Sequence, residues 1–249
     1  MLKHTYLSFL FFLLLPLFIY WQMPLWVYLI LIHIYISCTA WGAFDIRLGY
    51  FLPTINSFKT NKQIIALTFD DGPTEFTPQV LDLLKQHQIK ATFFCIGKQL
   101  EKYPKIAQRI VAEGHIIANH TYSHSNQMGF FRKKKILKEF NQTDQLIQEL
   151  TAQKNKFFRP PFGVTNPHIA RAVREKNYQV IGWTIRSLDT VIEDENKILD
   201  RIISRLEKGK IILLHDISQK TVNVLARLLI LLDQNQYKTI TIEELENNN

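Results

Sequence analysis

The first part of the chain has almost no charge. Between Lys3 and Asp45 there is no Asp, Glu, Lys or Arg, and nearly every residue is Leu, Ile, Phe, Tyr or Trp. As one helix, residues 4–44 would be about 60 Å long at ~1.5 Å per residue, roughly twice the hydrocarbon core of a bilayer. The run is therefore too long for a single straight crossing.

A break divides this apolar run. Pro24 and the polar Gln22 lie near its middle, so the pattern predicts two spans, near 5–22 and 25–42. A cleaved signal peptide is the alternative, but its apolar region would be only ~7–15 residues long. We therefore expect residues 1–44 to be a retained membrane anchor, a transmembrane helical hairpin.

Cysteine is scarce as well. The 249-residue chain has two cysteines, which excludes a disulfide framework. Cys38 lies in the apolar run and Cys95 in a predicted buried strand, so we expect no bridge between them. Cysteine usage therefore leaves the redox compartment open.

The charged residues follow the apolar run and are predominantly basic. All but one of the 30 lysines and arginines, and all 22 acidic residues, come after residue 44. The densest basic segment is 132–135. No nucleic-acid-binding motif accompanies it, so we expect no nucleic-acid partner. An anionic membrane surface, an acidic glycan and a solvated helix start remain open interpretations of this segment.

From residue 63 onward, short β-branched and aromatic runs alternate with longer helical patterns. Seven strands and six helices in this order predict an α/β fold with a mostly parallel sheet. Residues 45–62 lack steady periodicity and are predicted to be a linker, which leaves 63–249 as the folded domain. The predicted strands are 63–69, 90–96, 115–119, 156–159, 179–185, 210–215 and 237–242, and the predicted helices are 77–87, 99–113, 136–151, 166–177, 195–208 and 221–235.

Polar side chains follow the predicted strands where each strand ends, which is where parallel α/β barrels carry their chemistry. Asp70 and Asp71 end the first strand, and because successive strand residues point in opposite directions they can serve separate roles. His120 and His124 follow the third strand at a common metal-ligand spacing. One carboxylate with two histidines leaves open coordination positions, as a catalytic metal requires. Each group alone is equally well explained as solvated turn residues.

Further strand ends carry candidate residues. Arg159 follows the fourth strand beside two prolines and is suited to hold a carboxylate by a bidentate contact. The fifth strand leads into Trp183, Arg186 and Asp189. His215, at the end of the sixth strand, is suited to proton transfer near neutral pH. So many reactive side chains at strand ends of one fold are hard to attribute to chance.

Together these motifs resemble the polysaccharide deacetylases of the NodB-homology type, carbohydrate esterase family 4. The resemblance covers about residues 63–242. It implies an irregular (β/α)7 barrel and a metal-dependent hydrolase that removes N-acetyl groups from the amino sugars of a polysaccharide or cell-wall glycan. The matching segments are Thr68-Phe69-Asp70-Asp71-Gly72-Pro73, His120-Thr121-Tyr122-Ser123-His124, Arg159-Pro160-Pro161-Phe162-Gly163 and Leu213-Leu214-His215-Asp216.

The resemblance also implies roles for individual residues. Asp71, His120 and His124 are implied to hold a divalent metal, zinc or alternatively cobalt. Asp70 is implied to be the general base, and Arg159 to orient it. The substrate would be an amino-sugar glycan whose acetamide is cleaved, a carbon–nitrogen bond other than a peptide bond.

The acid and the oxyanion site are implied in the same way. His215 would protonate the departing amine, and the backbone N–H of Phe162, where many members carry Tyr, would stabilise the oxyanion. The fourth motif departs from the family, because Arg186 and Thr190 stand where many members have Asp and Trp, while Asp189 remains. This departure bears on how the acid is tuned and on which sugar is bound.

Two other functions stay open. The predicted anchor and basic segment favour a deacylase that acts on a lipid-linked sugar at the membrane. A non-catalytic glycan-binding protein on the same fold is the other alternative, although Asp70, the metal ligands and His215 are all retained. Lysine and arginine flank the hairpin on one side only, which by charge count predicts a cytoplasmic domain. From the resemblance we expect the domain to be extracytoplasmic instead. The oligomeric state is not readable from the sequence.

Overall fold

The computed structural model describes residues 3–246, within which ten α-helices and eight β-strands are found. The strands are β1 (Ile64–Asp70), β2 (Thr92–Cys95), β3 (Ile116–Asn119), β4 (Phe157–Phe158), β5 (Gln179–Val180), β6 (Ile185–Arg186), β7 (Ile211–His215) and β8 (Lys238–Ile240). The helices are α1 (His4–Tyr20), α2 (Leu25–Phe44), α3 (Thr77–Gln86), α4 (Gly97–Lys102), α5 (Pro104–Ala112), α6 (Lys133–Thr151), α7 (Pro167–Lys176), α8 (Glu195–Ile203), α9 (Gln219–Gln234) and α10 (Ile242–Glu246).

The strands form one parallel sheet that curls into a deformed barrel. Their order is β5-β4-β3-β2-β1-β7-β6, and β8 pairs with the first half of β1. Asp70, the last residue of β1, lies opposite Phe94 of β2 and His215 of β7. Because all pairings are parallel, the carboxyl ends of the strands meet at one edge. The predicted α/β barrel is confirmed.

Apolar side chains cover both faces of the central strands. Ile65, Leu67 and Phe69 point into a core shared with the surrounding helices, whereas Ala66 belongs to a second core that also holds Leu213. This alternation follows from the two-residue period of a strand. A strand covered on both faces reads as a continuous apolar run, which is why β1 and β7 are recognisable from their sequence.

The predicted strand 179–185 is wrong, because it splits into β5 and β6 at opposite ends of the sheet. The carbonyl groups of Ile181 and Gly182 accept hydrogen bonds from the guanidinium of Arg159 at 3.0 and 2.9 Å. Since these carbonyls are turned toward Arg159, they are not available to a neighbouring strand. The interruption leaves the barrel irregular.

The predicted helix 99–113 is also divided. α4 ends at Lys102 and α5 begins at Pro104. Proline is well suited to the first position of a helix, but it lacks the N–H that a continuous helix would need there. The sequence pattern predicts one helix over 99–113 because α4 and α5 each bury apolar residues at helical spacing.

The apolar N-terminal run forms two helices that pack against each other. The hydroxyls of Ser8 on α1 and Tyr35 on α2 lie 3.0 Å apart, and the ring of Phe11 lies 4.5 Å from that of Tyr35. Among the described helices, only α2 is long and apolar enough to cross a membrane, and α1 is shorter. By length and composition alone, one such helix near the N-terminus fits an anchor and a signal sequence alike.

Residues 45–62 contain little regular structure, but they pack closely on the domain. Ile46, Tyr50 and Leu52 are buried. The Tyr50 carbonyl accepts the backbone N–H of His4, and the Thr165 N–H donates to the carbonyl of Ala43 at 2.9 Å. The end of the helical hairpin is therefore joined to the domain by packing and by backbone hydrogen bonds. The segment predicted to be a linker is therefore packed in place and does not behave as a freely moving connection.

Candidate metal centre and its surroundings

Three candidate metal ligands meet at the carboxyl ends of β1 and β3. Nε2 of His120 lies 3.4 Å from Oδ1 of Asp71, and Nε2 of His124 lies 3.3 Å from the same oxygen. The three ligand atoms all lie within 4.8 Å of one another. The structure thus brings the three predicted ligands together as a candidate Asp-His-His metal site.

The backbone around this cluster adopts conformations that non-glycine residues seldom adopt. Asp71, Thr121 and His124 have φ values of 74°, 66° and 47°. Each such residue costs on the order of 1–2 kcal/mol, which the surrounding structure must offset. The side-chain carbonyl of Asn119 stabilises the turn by accepting the N–H of Thr121 at 2.8 Å. Left-handed turns thus bring ligands from two strands to one point.

The hydrogen bonds of the cluster fit a metal ion. Nδ1 of His120 lies 2.8 Å from the carbonyl oxygen of Arg159. Because that oxygen can only accept, Nδ1 carries the proton and Nε2 offers a lone pair to the cluster. Oδ1 of Asp71 is buried and has no hydrogen-bond partner among the described residues. A divalent cation would supply the partner that this buried oxygen lacks.

Neighbouring charges set the protonation of the ligands. Burial acts to raise the pKa of Asp71, but His120 and His124 outweigh it and hold that pKa below its ordinary value. Burial, with the nearby His120, lowers the pKa of His124 to about 4. An ionised carboxylate and a neutral imidazole are the forms that bind metals, so these two ligands are ready to bind at neutral pH.

Asp70 lies beside the cluster and is held by Arg159. Nη1 of Arg159 donates to Oδ1 of Asp70 at 2.7 Å, while Oδ2 of Asp70 lies 3.8 Å from Nε2 of His120. The guanidinium is fully buried, 4.0 Å above the ring of Phe94. One oxygen of Asp70 is therefore fixed, and the other lies toward the candidate metal ligands.

His215 is held by a second carboxylate. Its Nδ1 lies 2.7 Å from Oδ1 of Asp189, and its backbone N–H donates to Oδ2 of Asp189 at 2.8 Å. The hydroxyls of Ser187 and Thr221 also donate to Asp189. Burial acts to lower the pKa of His215, but Asp189 outweighs it and raises this pKa to about 9. His215 therefore carries a proton at neutral pH.

Phe162 lies at the rim of the cluster. Its φ is 59°, and its ring lies 4.8 Å from the ring of His124. The hydrogen bond of the local turn runs from the N–H of Gly163 to the carbonyl of Pro160. The N–H of Phe162 lies outside this bond and can donate to another group.

Trp183 and Arg186 lie on one side of this rim. Trp183 is nearly buried, and a Cβ atom built on Gly163 would lie 2.7 Å from its ring. The guanidinium of Arg186 is exposed and lies 5.9 Å from the ring of Trp183. Among the described residues, Arg186 contacts Trp183 and Arg201, and the structure does not bring it to the cluster of Asp71, His120 and His124.

Sequence reasoning missed one residue that supports the candidate metal site. Glu139 of α6 is buried and accepts the backbone N–H of Ser123 at 2.7 Å and the Ser123 hydroxyl at 2.9 Å. Ser123 directly precedes His124, so Glu139 fixes the loop that carries this ligand. The signal was a charge at helical spacing from the buried Ile136 and Thr143, on the face that α6 turns to the core.

Fold and cluster together define a class: an α/β barrel with a candidate metal centre at the carboxyl ends of its strands. Residues 58–181 match the family model described as polysaccharide deacetylase. A peptidoglycan-N-acetylglucosamine deacetylase of Bacillus cereus is 38% identical over 156 residues, which are 62% of this chain and 56% of the relative. The chain thus spans little more than half of that relative's length.

Solved structures agree with the sequence match. The peptidoglycan N-acetylglucosamine deacetylase Bc1960 superimposes with a TM-score of 0.72 at 33% identity, covering 76% of this chain and 91% of that one. The structure of BA3943, a CE4 family pseudoenzyme from Bacillus anthracis, matches with a TM-score of 0.72 at 28% identity over 78% of this chain and 68% of that one. The chain belongs to the polysaccharide deacetylase family, the hydrolases of carbohydrate esterase family 4.

Proposed function

We propose that this protein is a metal-dependent N-deacetylase of amino sugars in a polysaccharide or cell-wall glycan. The observation that carries the proposal is the pairing of the Asp-His-His cluster with Asp70, whose free oxygen lies 3.8 Å from His120. An acid–base residue beside an open metal site is what hydrolysis of an acetamide requires. The Bacillus cereus relative and Bc1960 are both named as peptidoglycan N-acetylglucosamine deacetylases, which supports the same substrate class.

Each side chain has a role in this proposal. Asp71, His120 and His124 hold the ion, and two imidazoles with one carboxylate suit zinc, with cobalt as the alternative. When bound, the ion supplies a Lewis acid that lowers the pKa of a water and polarises the acetamide carbonyl. Asp70, oriented by Arg159, takes the proton from the attacking water.

The remaining residues act on the developing charges. The N–H of Phe162 donates to the carbonyl oxygen as it becomes negative. His215, protonated by virtue of Asp189, gives its proton to the departing amine. Trp183 and Arg186 lie beside Phe162, where they would contact the sugar. Asp189 is a positioning residue, because it acts through His215.

We also propose that α1 and α2 together are a retained membrane anchor over residues 1–44, with the deacetylase domain from residue 63 on the extracytoplasmic side. The packing of the hairpin end on the following segment supports retention, because cleavage there would remove Gly42, against which Tyr50 is packed, and would expose Tyr50. A reporter enzyme fused to the C-terminus tests the side. An active alkaline phosphatase fusion supports the proposal, and an inactive one with an active cytoplasmic reporter contradicts it.

Acetate release tests the activity. The full chain in detergent is incubated with acetylated chito-oligosaccharides, then treated with a chelator, then given zinc or cobalt. We expect acetate release that the chelator abolishes and the added metal restores. If no metal restores activity on any amino-sugar substrate, the enzyme proposal fails and the alternative, a non-catalytic glycan-binding protein on this fold, is favoured. BA3943 is described as a pseudoenzyme of the same family.

A further inference from the structure

A pocket of about 420 Å³ connects the end of the helical hairpin with the rim of the candidate active site. On the hairpin side it is lined by Trp41 and Phe44, from the last turn of α2. On the other side it is lined by Phe162 and Trp183. Because the ring of Phe162 also contacts His124 at 4.8 Å, a single side chain separates this pocket from the candidate metal ligands.

The pocket is strongly basic. Four arginines line it, and Asp45 is the one acidic residue among its lining residues. Asp45 is already paired with Arg47, through bonds of 2.8 and 2.7 Å. In the part of the chain that the structure describes, Arg186, Arg201 and Arg205 form no ion pair with a carboxylate. Three guanidiniums therefore share one pocket without a neutralising partner.

This uncompensated charge is held in place by the fold. Nε of Arg201 donates to the backbone carbonyl of Arg186 at 2.8 Å, so the guanidinium of Arg201 is held beside the backbone of Arg186. Burial, together with the charges of Arg205 and Arg186, lowers the pKa of Arg201. Like charges held together in this way repel one another, and binding an anion relieves the repulsion. Planar guanidiniums favour phosphate, which they bind with paired hydrogen bonds.

The apolar side of the pocket indicates what carries the anion. Trp41 and Phe44 are 64% and 73% exposed, and they continue the uncharged surface of α2. The Thr165 N–H is bonded to Ala43, which ties this end of α2 to the loop that carries Phe162. When α2 crosses a bilayer, its aromatic end lies at the depth of the headgroups. The pocket then accepts a phosphate from the membrane side, and a sugar attached to that phosphate reaches toward the metal site.

We propose that this pocket binds the phosphate or pyrophosphate of a lipid-linked amino sugar, with its hydrocarbon chain along α2 and its acetamide directed past Phe162 to the metal site. The inference rests on the deacetylase function proposed above and names its substrate. It also gives a role to Arg186, an exposed arginine that lines this pocket and lies apart from the candidate metal ligands.

The test compares four forms of N-acetylglucosamine, with acetate release as the measurement. The sugar is presented as a polyprenyl pyrophosphate conjugate in phosphatidylcholine vesicles, as a neutral alkyl glycoside in the same vesicles, as the soluble UDP-sugar, and as a neutral chito-oligosaccharide. We expect the lipid pyrophosphate to give the highest kcat/KM. In Arg205→Gln and in Arg201→Gln, the ratio of kcat/KM for the lipid pyrophosphate to that for the alkyl glycoside should fall about tenfold or more.

Arg227→Gln is the matched control. Arg227 lies on α9, donates to Asn196, and does not line the pocket. This variant loses the same charge and should keep the wild-type ratio. Equal losses on the charged and neutral substrates in Arg201→Gln and Arg205→Gln would overturn the inference and leave the deacetylase proposal standing. A wild-type chain without activity on any of the four forms would overturn both.

Two further outcomes distinguish the source of the phosphate. If the UDP-sugar is as good a substrate as the lipid conjugate, the hydrocarbon chain plays no part and the lipid-linked substrate is wrong. The assays are repeated with phosphatidylglycerol added to the vesicles. The arginine variants could lose activity only when the vesicles contain phosphatidylglycerol, and equally on the pyrophosphate conjugate and the alkyl glycoside. In that case the pocket binds the headgroups of the surrounding lipid, and the inference is overturned.

Discussion

The carboxylate of Asp189 contacts His215 twice, once at Nδ1 and once at the backbone N–H. The double contact fixes both the direction of the imidazole and the end of β7 that carries it. It also places a negative charge beside the ring, which raises the pKa of His215 to about 9 although burial acts in the opposite direction. In the proposed mechanism, this is the group that protonates the leaving amine.

Asp189→Asn should therefore change the pH profile as well as the rate. A general acid must be protonated, so wild-type kcat should persist up to about pH 9 and fall above it. Without the carboxylate, the pKa of His215 falls and the alkaline limb of the profile moves to lower pH. We expect kcat to fall about 10²-fold or more above pH ~7, with a smaller loss at lower pH. Initial rates of acetate release across pH measure this.

Asp200→Asn is the control for that profile. Asp200 is an exposed residue of α8, and its loss removes the same charge at a distance from His215. An alkaline limb at the same pH in Asp189→Asn as in Asp200→Asn would contradict the role assigned to Asp189.

The two adjacent aspartates should have separable roles. Asp70→Asn should abolish turnover, by about 10²- to 10⁴-fold, while zinc still binds, because Asp70 bonds to Arg159 and is not among the grouped ligand atoms. Asp71→Asn should weaken zinc binding itself. Calorimetric titration of the apo-protein with zinc, beside acetate release, distinguishes these effects. Loss of zinc from Asp70→Asn would refute the division of roles.

Glu139→Gln should weaken the metal site from a distance. The change replaces a charged acceptor of two Ser123 hydrogen bonds with a neutral one, which loosens the loop before His124. We expect zinc affinity to fall about tenfold, as for other groups that orient a ligand. Glu149→Gln, an exposed change on the same helix, is the control. Equal zinc affinities in the two variants would show that Glu139 only packs the core.

Gly42→Ala should loosen the hairpin from the domain. A Cβ atom at residue 42 would lie 2.3 Å from the ring of Tyr50, so the ring or the helix must move, at a cost of about 1–3 kcal/mol. Faster proteolysis of residues 45–62 in the full chain would report the loosening. Gly129→Ala is the control, because its Cβ meets its nearest neighbour at an ordinary 3.7 Å. In the double variant, Tyr50→Ala removes the ring that the new Cβ atom meets, so part of the effect of Gly42→Ala on the proteolysis rate should disappear. Additive effects of the two substitutions on this rate would contradict the contact.

The parts of the fold that are local in sequence could be predicted. β1 and β7 stand out because strands covered on both faces are apolar throughout, and their polar last residues mark the edge where the candidate site forms. The left-handed turns that converge there could not be predicted, because none of Asp71, Thr121 and His124 is a glycine, the residue type that usually marks a positive φ.

Features that depend on contacts between distant residues were missed. The break between β5 and β6 comes from Arg159, which lies more than 20 residues earlier and takes the carbonyls that a strand would use. The burial of Ile46 and Leu52 could not be predicted, because the apolar residues of segment 45–62 follow neither a helix period nor a strand period. Arg201 and Arg205 look like the solvated side of the predicted helix 195–208, and only the fold shows that both line a pocket beside the end of α2.

The hydrogen bond between Thr165 and Ala43 limits how far the candidate metal site can move from the hairpin. An enzyme tethered to a membrane by a long flexible linker can reach a volume that grows with the length of the linker. In this protein the connecting segment is not extended, because Ile46 and Leu52 are packed in the core of the barrel and Tyr50 is packed against the hairpin. If the hairpin spans a bilayer, the site stays at a fixed height above the membrane surface. It then meets its substrates by lateral diffusion in the plane of the membrane. Glycans a few layers away would stay out of its reach.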